Sequence, residues 1–259
     1  MKPKKTLLQR IWFIIKRTFL ILFVAQFVYI ILLKWIDPPI TITQLQNWVS
    51  GNGLKRDYVD FDEMSYHIKL AVIASEDQLF PDHSGFDWKN IEKAMKYNQK
   101  KPGRIRGAST ISQQVAKNVF LWQGRSWIRK GLEVYFTKMI EWIWGKKRIL
   151  EVYLNVIEMG KGVFGVEAAA QAYFKKPASA LTRREAAMIA ACLPNPKKFT
   201  IKPLSPYVSV KSGWIVRQMN ILERDPDVQK VIQIKKPDKK KQKNKANRST
   251  VHREKNFGS

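Results

Sequence analysis

Residues 106–118, RGASTISQQVAKN, decide how the chain folds. Thr110-Ile111-Ser112-Gln113 has the form of a capping box, in which the threonine side chain accepts from the backbone three residues on and the glutamine reaches back. A helix therefore starts here. On it Ser109, Gln113 and Lys117 fall at i, i+4 and i+8, lining one face with donors. The free N–H groups at such a helix start suit a phosphate-bearing ligand. A polar face is also what solvent exposure produces, so this stretch alone fixes the helix and not its use.

The text on either side reads the same way. A second capping box, Thr182-Arg183-Arg184-Glu185, opens a helix that Pro194 and Pro196 close. Ser126 caps a segment running to Trp144, which Gly145 ends. Residues 207–222 have the pattern of a last amphipathic helix. Period-2 alternation is scarce, so the expected class is mainly α.

Upstream, residues 18–33, TFLILFVAQFVYIILL, carry no charge. With Trp35 and Ile36 they approach the roughly 20 residues that cross a hydrocarbon core, and residues 11–15 extend the apolar surface if Lys16 and Arg17 snorkel. Asp37-Pro38-Pro39 follows in place of a small-x-small cleavage site, which favours an uncleaved anchor. Lys2, Lys4, Lys5, Arg10, Lys16 and Arg17 precede the span and place the N-terminus in the cytoplasm. The expected organisation is a basic cytoplasmic N-terminus at 1–17, a transmembrane helix at 18–36, one folded domain at 37–234 and a basic tail at 235–259. The tail is too poor in apolar residues to fold alone.

Lys and Arg number 47 against 21 Asp and Glu, a net charge of +26 over 259 residues. The two tails hold about half of that excess, so the folded domain remains basic and implies an anionic partner. Cys192 is the only cysteine. It rules out an internal disulfide and a cysteine-rich zinc site, and its apolar run makes it a small buried thiol. His67, His83 and His252 lack metal-ligand spacing, so no metal site is expected.

Polar and ionisable groups recur inside apolar text in four places. Residues 76–87, EDQLFPDHSGFD, put several acids and a histidine beside a helix end, where acids oppose the macrodipole. Residues 106–118 are the second. In residues 125–133, RSWIRKGLE, Arg125, Arg129 and Glu133 share a face with Lys130 beside it; read blandly, Arg129 and Glu133 are a surface pair contributing a few tenths of a kcal/mol. Residues 147–155, KRILEVYLN, have apolar residues at helical spacing and read as support.

In this order the four segments resemble the signature motifs of family 51 glycosyltransferases, the peptidoglycan polymerases: E-D-x-x-F-x-x-H-x-G-x-D, G-x-S-T-I-x-Q-Q-x-x-K-N, R-K-x-x-E and I-L-E-x-Y-L-N. All four match between Glu76 and Asn155, and the resemblance extends to about Pro196. Ala108 departs from it, standing where many members have a second glycine. The single anchor and the absence of Ser-x-x-Lys and Lys-Thr-Gly resemble the monofunctional branch.

The resemblance implies a lysozyme-like helical domain with a small membrane-associated lobe, to which Trp122, Trp127, Trp142 and Trp144 are suited. It implies polymerisation of lipid II on a growing lipid-linked glycan, with membrane lipids and other cell-wall synthesis proteins as partners and no nucleic acid. By similarity Glu76 is the base, ionised at neutral pH with an ordinary pKa of about 4. Lys117 and Arg125, with Arg129 and Lys130, neutralise the departing pyrophosphate, and Glu133 is a second essential acid. Ser109, Gln113, Gln114 and Asn118 match substrate-contact positions. No cofactor is required, although divalent cations stimulate family members. Two rivals stand beside this reading: a lytic enzyme of lysozyme type, which needs a protonated acid of raised pKa, and a non-catalytic basic scaffold, whose best support is the lysine-rich tail.

Overall fold

The computed structural model describes residues 6–101, 103, 106–124 and 126–233. Arg125 and the tail at 235–259 lie outside the described residues. Eleven α-helices account for most of what is described: α1 Leu7–Leu32, α2 Ile42–Val49, α3 Tyr66–Glu76, α4 Trp88–Lys100, α5 Ile111–Phe120, α6 Trp127–Ile143, α7 Lys146–Val156, α8 Val166–Phe174, α9 Arg183–Cys192, α10 Pro206–Leu222 and α11 Pro226–Ile232. The mainly α class holds. A small sheet not expected from the sequence joins β1 Lys55–Arg56, β3 Val163–Phe164 and β2 Glu158–Gly160, with β1 parallel and β2 antiparallel to β3. These strands have two or three residues each, too short to leave a period-2 trace. Gly162, at φ +68°, lets the β2–β3 turn press onto the Asn52 carbonyl, 2.2 Å from where a Cβ would stand.

α1 is 26 residues long, roughly 39 Å and enough to cross a hydrocarbon core. Its capping box, Thr6 with Gln9, lies well before the apolar run, so residues 11–15 are part of the same helix. Most of its side chains face outward, which sets it apart from the core helix of a soluble protein. Its C-terminal end is different. Ile30 and Leu33 are buried in the domain core, Trp144 Nε1 donates to the Ile30 carbonyl (2.8 Å), and Gln26 Nε2 donates to Tyr135 OH (2.7 Å). Arg148 donates to the carbonyls of Leu33 (3.1 Å) and Ile36 (2.9 Å) and pairs with Asp37 and Glu151. The apolar helix is thus bolted to α6 and α7 rather than tethered. Trp144 belongs to this buried joint, whereas Trp122, Trp127 and Trp142 are exposed.

α3 is the centre of the domain. Residues 68–74 are all buried, and α9, α10 and α11 pack around them. One of these buried residues is Lys69. Its ammonium lies 4.0 Å from the centroid of the Phe61 ring and has no hydrogen-bond partner among the described residues. Burial pulls its pKa down to about 8, with Lys147 acting in the same direction and Asp62 and Glu151 against. The folded protein therefore binds fewer protons than the unfolded chain between pH 8 and 10.5, so stability should rise with pH across that window. Lys69→Met is expected to raise the melting temperature at pH 7 by a few degrees, a gain on the order of 1–3 kcal/mol from removing a buried charge. Melting curves at pH 7 and pH 10 check this: the gain must shrink at the higher pH, and a variant less stable than wild type at pH 7 refutes it.

Candidate active site

Apart from the exposed Asp82, only one of the acids in residues 76–87 has neither an ion pair nor a backbone donor among the described residues. Asp77, the C-cap of α3, accepts from His83 Nε2 at 3.0 Å and from the Ile111 N–H at 3.0 Å. It thereby ties the end of α3 to the start of α5, where a negative charge is favourable. His83 Nδ1 accepts from the Gly85 N–H (3.1 Å), which places the ring proton on Nε2, facing Asp77. Asp87 caps α4 through the Asn90 N–H. Gly85, at φ +91°, has no room for a Cβ, which would stand 2.7 Å from Thr137 Cγ2, and its carbonyl accepts from Thr110 Oγ1 (2.7 Å). Most of this segment therefore holds helices together, and Glu76 is what it presents.

Glu76 ends α3 and is partly buried. Its carboxylate accepts from Gln114 Nε2 (3.0 Å) and Ser75 Oγ (3.1 Å), both neutral. Gln114 is oriented in turn by Tyr153 OH, which donates to its Oε1 (3.2 Å). Burial raises the Glu76 pKa and Asp77 adds to the rise, while Gln114, Ser75 and the Lys211 ammonium oppose it. The expectation of an ordinary carboxylate is corrected here, because the packing that removes water from Glu76 comes from helices distant in sequence. A raised pKa brings a general base closer to the pH at which it works.

α5 starts at the expected capping box: Thr110 accepts from the Gln113 N–H, and Gln113 Oε1 accepts from the Thr110 N–H (3.0 Å). That places Gln113 at the helix start, buried, and Ser109 just outside it, exposed. Asn118 donates to the Gln114 carbonyl (2.8 Å) and accepts from Thr43 Oγ1 and Gln123 Nε2. Lys117, three residues after Gln114, stands beside it on the same helix, at a spacing of about 5–6 Å between Cβ atoms. Its ammonium has no hydrogen bond or ion pair among the described residues. Burial lowers its pKa, Glu133 raises it, and Arg129 and Lys130 lower it, so this cluster faces Lys117.

α6 supplies the cluster, with Ser126 capping the Arg129 N–H. Glu133 is 3% exposed and takes Arg129 Nη1 (2.7 Å) and Lys130 Nζ on its two oxygens. The bland reading of Arg129 and Glu133 as a surface pair is corrected: both are buried, and Arg129 Nε has no partner among the described residues. A buried carboxylate shared by two cations fixes their positions and leaves net positive charge, to which Lys117 adds. The fourth segment supports the site, as expected. Glu151 accepts from the Phe61 N–H, Asn155 bonds both ways with the Val59 backbone, and Tyr153 holds Gln114.

Sequence reading gave α10 as a helix but not its place beside Glu76. Lys211 and Tyr207 both interact electrostatically with Glu76, from a helix more than 120 residues further along. Tyr207, Lys211 and Trp214 fall at i, i+4 and i+7, which signals a shared helix face but not what it faces. No cluster of His, Cys, Asp and Glu able to hold a metal ion occurs among the described residues.

A family described as transglycosylase has a model that matches residues 42–220. Among similar proteins, biosynthetic peptidoglycan transglycosylases of Escherichia coli (strain ATCC 8739) and Shigella boydii serotype 4 (strain Sb227) are each 57% identical over 189 residues, covering 72% of this chain and 78% of theirs. The family match at residues 42–220 takes in every segment of the site.

Proposed function

The chain belongs to the transglycosylase family, and on that premise we propose that it polymerises lipid II into β-1,4-linked glycan strands in cell-wall biosynthesis. The observation that carries this reading is one turn of α5, on which Gln114 holds the Glu76 carboxylate and Lys117, three residues on, joins the cation cluster around Glu133. The acceptor's 4-hydroxyl oxygen bonds to the donor's anomeric carbon, and the bond from that carbon to the pyrophosphate breaks with inversion. The electron pair leaves with undecaprenyl pyrophosphate, and the hydroxyl proton goes to Glu76. Lys117, with Arg129 and Lys130, neutralises the departing anion through charge-assisted hydrogen bonds. Arg125 joins this group by resemblance. Glu133 keeps Arg129 and Lys130 in place, a role its two ion pairs support.

The raised pKa of Glu76 is the one feature shared with a lytic acid. The cation cluster at Lys117 suits the departure of a phosphate and has no task in hydrolysing a neutral glycosidic bond. Purified protein incubated with labelled lipid-linked disaccharide should yield polymer, and with finished cell wall should yield no fragments. Fragments without polymer would make it a lytic enzyme.

The apolar helix α1 is consistent with a single membrane anchor. We place it in the inner membrane, with the basic end cytoplasmic and the domain outside, where the lipid-linked substrate is polymerised. A reporter fused at Ser259 is expected to work only as an extracytoplasmic reporter, and activity confined to a cytoplasm-requiring reporter would reverse this topology.

A further inference from the structure

α10 starts behind Ser205, which caps the Val208 N–H, with Pro206 in the first turn. Tyr207 stacks on Phe199, ring centroids 3.9 Å apart. One turn on, Lys211 places its ammonium 3.5 Å from the centroid of the Trp214 ring. Two turns beyond Lys211, Gln218 Oε1 accepts from Gln78 Nε2 (3.2 Å), and the same amide donates to the Ala74 carbonyl (3.1 Å). Gln78 is two residues from Glu76. The Gln78–Gln218 bond and the packing of α10 on α3 therefore fix Lys211 and Tyr207 against the end of α3.

The groups that face Glu76 come from five elements. Asp77 is its chain neighbour; α5 brings Gln114, and α7 brings Tyr153 behind it; α10 brings Lys211 and Tyr207; and the Ala190 carbonyl of α9 accepts from Ser75 Oγ (3.4 Å). Lys211 is the one cation of this set. No ion pair within 4.0 Å joins it to Glu76 among the described residues, so the attraction acts across a gap. Arg129 and Lys130 of α6 are paired with Glu133, and Lys117 of α5 interacts electrostatically with that cluster.

We propose that Lys211 is a positioning residue for the reaction: seated on the Trp214 ring, its ammonium keeps the buried Glu76 carboxylate ionised, ready for the acceptor hydroxyl. This rests on the reading of Glu76 as the base. Burial drives Glu76 toward its protonated form, which accepts no proton, and the hydrogen bonds from Gln114 and Ser75 and the positive charge of Lys211 oppose it. The Trp214 ring face holds the ammonium without neutralising it, as a carboxylate would.

The sign of the effect follows. Removing the cation raises the pKa of Glu76 further, so the acid limb of the kcat/KM profile moves to higher pH. The test measures polymerisation of labelled lipid-linked disaccharide between pH 4.5 and 9 by wild type, Lys211→Met, Lys211→Gln, Lys211→Arg and Glu76→Gln, all shown to melt near wild type. Both neutral variants are expected to shift the limb upward by roughly half a unit to one unit, and Lys211→Arg to leave it in place. A limb unmoved in whichever neutral variant folds overturns the proposal, as does an equal shift in Lys211→Arg, which would trace the effect to packing. Full turnover by Glu76→Gln is the separate outcome that removes the base assignment itself, and the proposal with it.

Discussion

Glu76→Gln is expected to lower turnover on the order of 100-fold or more, the usual scale for loss of a general base. The amide keeps the size of the side chain and can still bond to Gln114 and Ser75, so packing around α3 should be little disturbed. Removing a buried carboxylate whose pKa is raised by burial should, if anything, stabilise the fold at neutral pH. Reduced activity therefore cannot be attributed to unfolding in a variant that melts at or above the wild-type temperature. Binding of a lipid pyrophosphate should survive, because the cations that receive it sit on α5 and α6. The wild-type kcat/KM profile should show an acid limb above the ordinary carboxylate range, reflecting the raised Glu76 pKa, and the residual activity of the amide should lack it. A folded variant polymerising near the wild-type rate would remove Glu76 as base.

The second large effect is expected at Lys117. Lys117→Met keeps most of the aliphatic stem but loses the ammonium, and turnover should fall by about 100- to 1000-fold, as when a preorganised donor to developing charge is removed. The geometry sets this lysine apart from the two beside it. Arg129 and Lys130 are each committed to Glu133, whereas Lys117 forms no such bond among the described residues and is free to meet a ligand. Relieving the crowding of three cations should make the fold no less stable. Lys117→Arg should recover part of the rate, because charge is restored but a guanidinium fork differs in shape from an ammonium. Lys230→Met, on the exposed surface of α11 where Lys230 pairs with Asp227, should stay within about twofold of wild type. The measurement is initial polymerisation rate at saturating lipid-linked disaccharide. If Lys117→Met resembles Lys230→Met, the leaving group is held elsewhere.

Helix starts were legible because capping is a local transaction. Thr110 with Gln113, Thr182 with Glu185, and Ser126 with the Arg129 N–H each close within three residues, and each is formed as read. The apolar run that became α1 was legible for a similar reason, since length and the absence of charge suffice. The four motifs also pointed to Glu76, Lys117 and Glu133, by their resemblance to a known family. What the sequence could not supply were relations between distant segments. The raised pKa of Glu76 depends on water being excluded by α5, α7 and α10, which lie 38 to 135 residues away along the chain. The burial of Arg129 and Glu133, the docking of Ile30 and Leu33 under Trp144 and Arg148, and the approach of Lys211 share that dependence. Local sequence determines where helices begin and which residues share a face; desolvation and Coulomb energy depend on what packs against that face, and only the tertiary structure decides it.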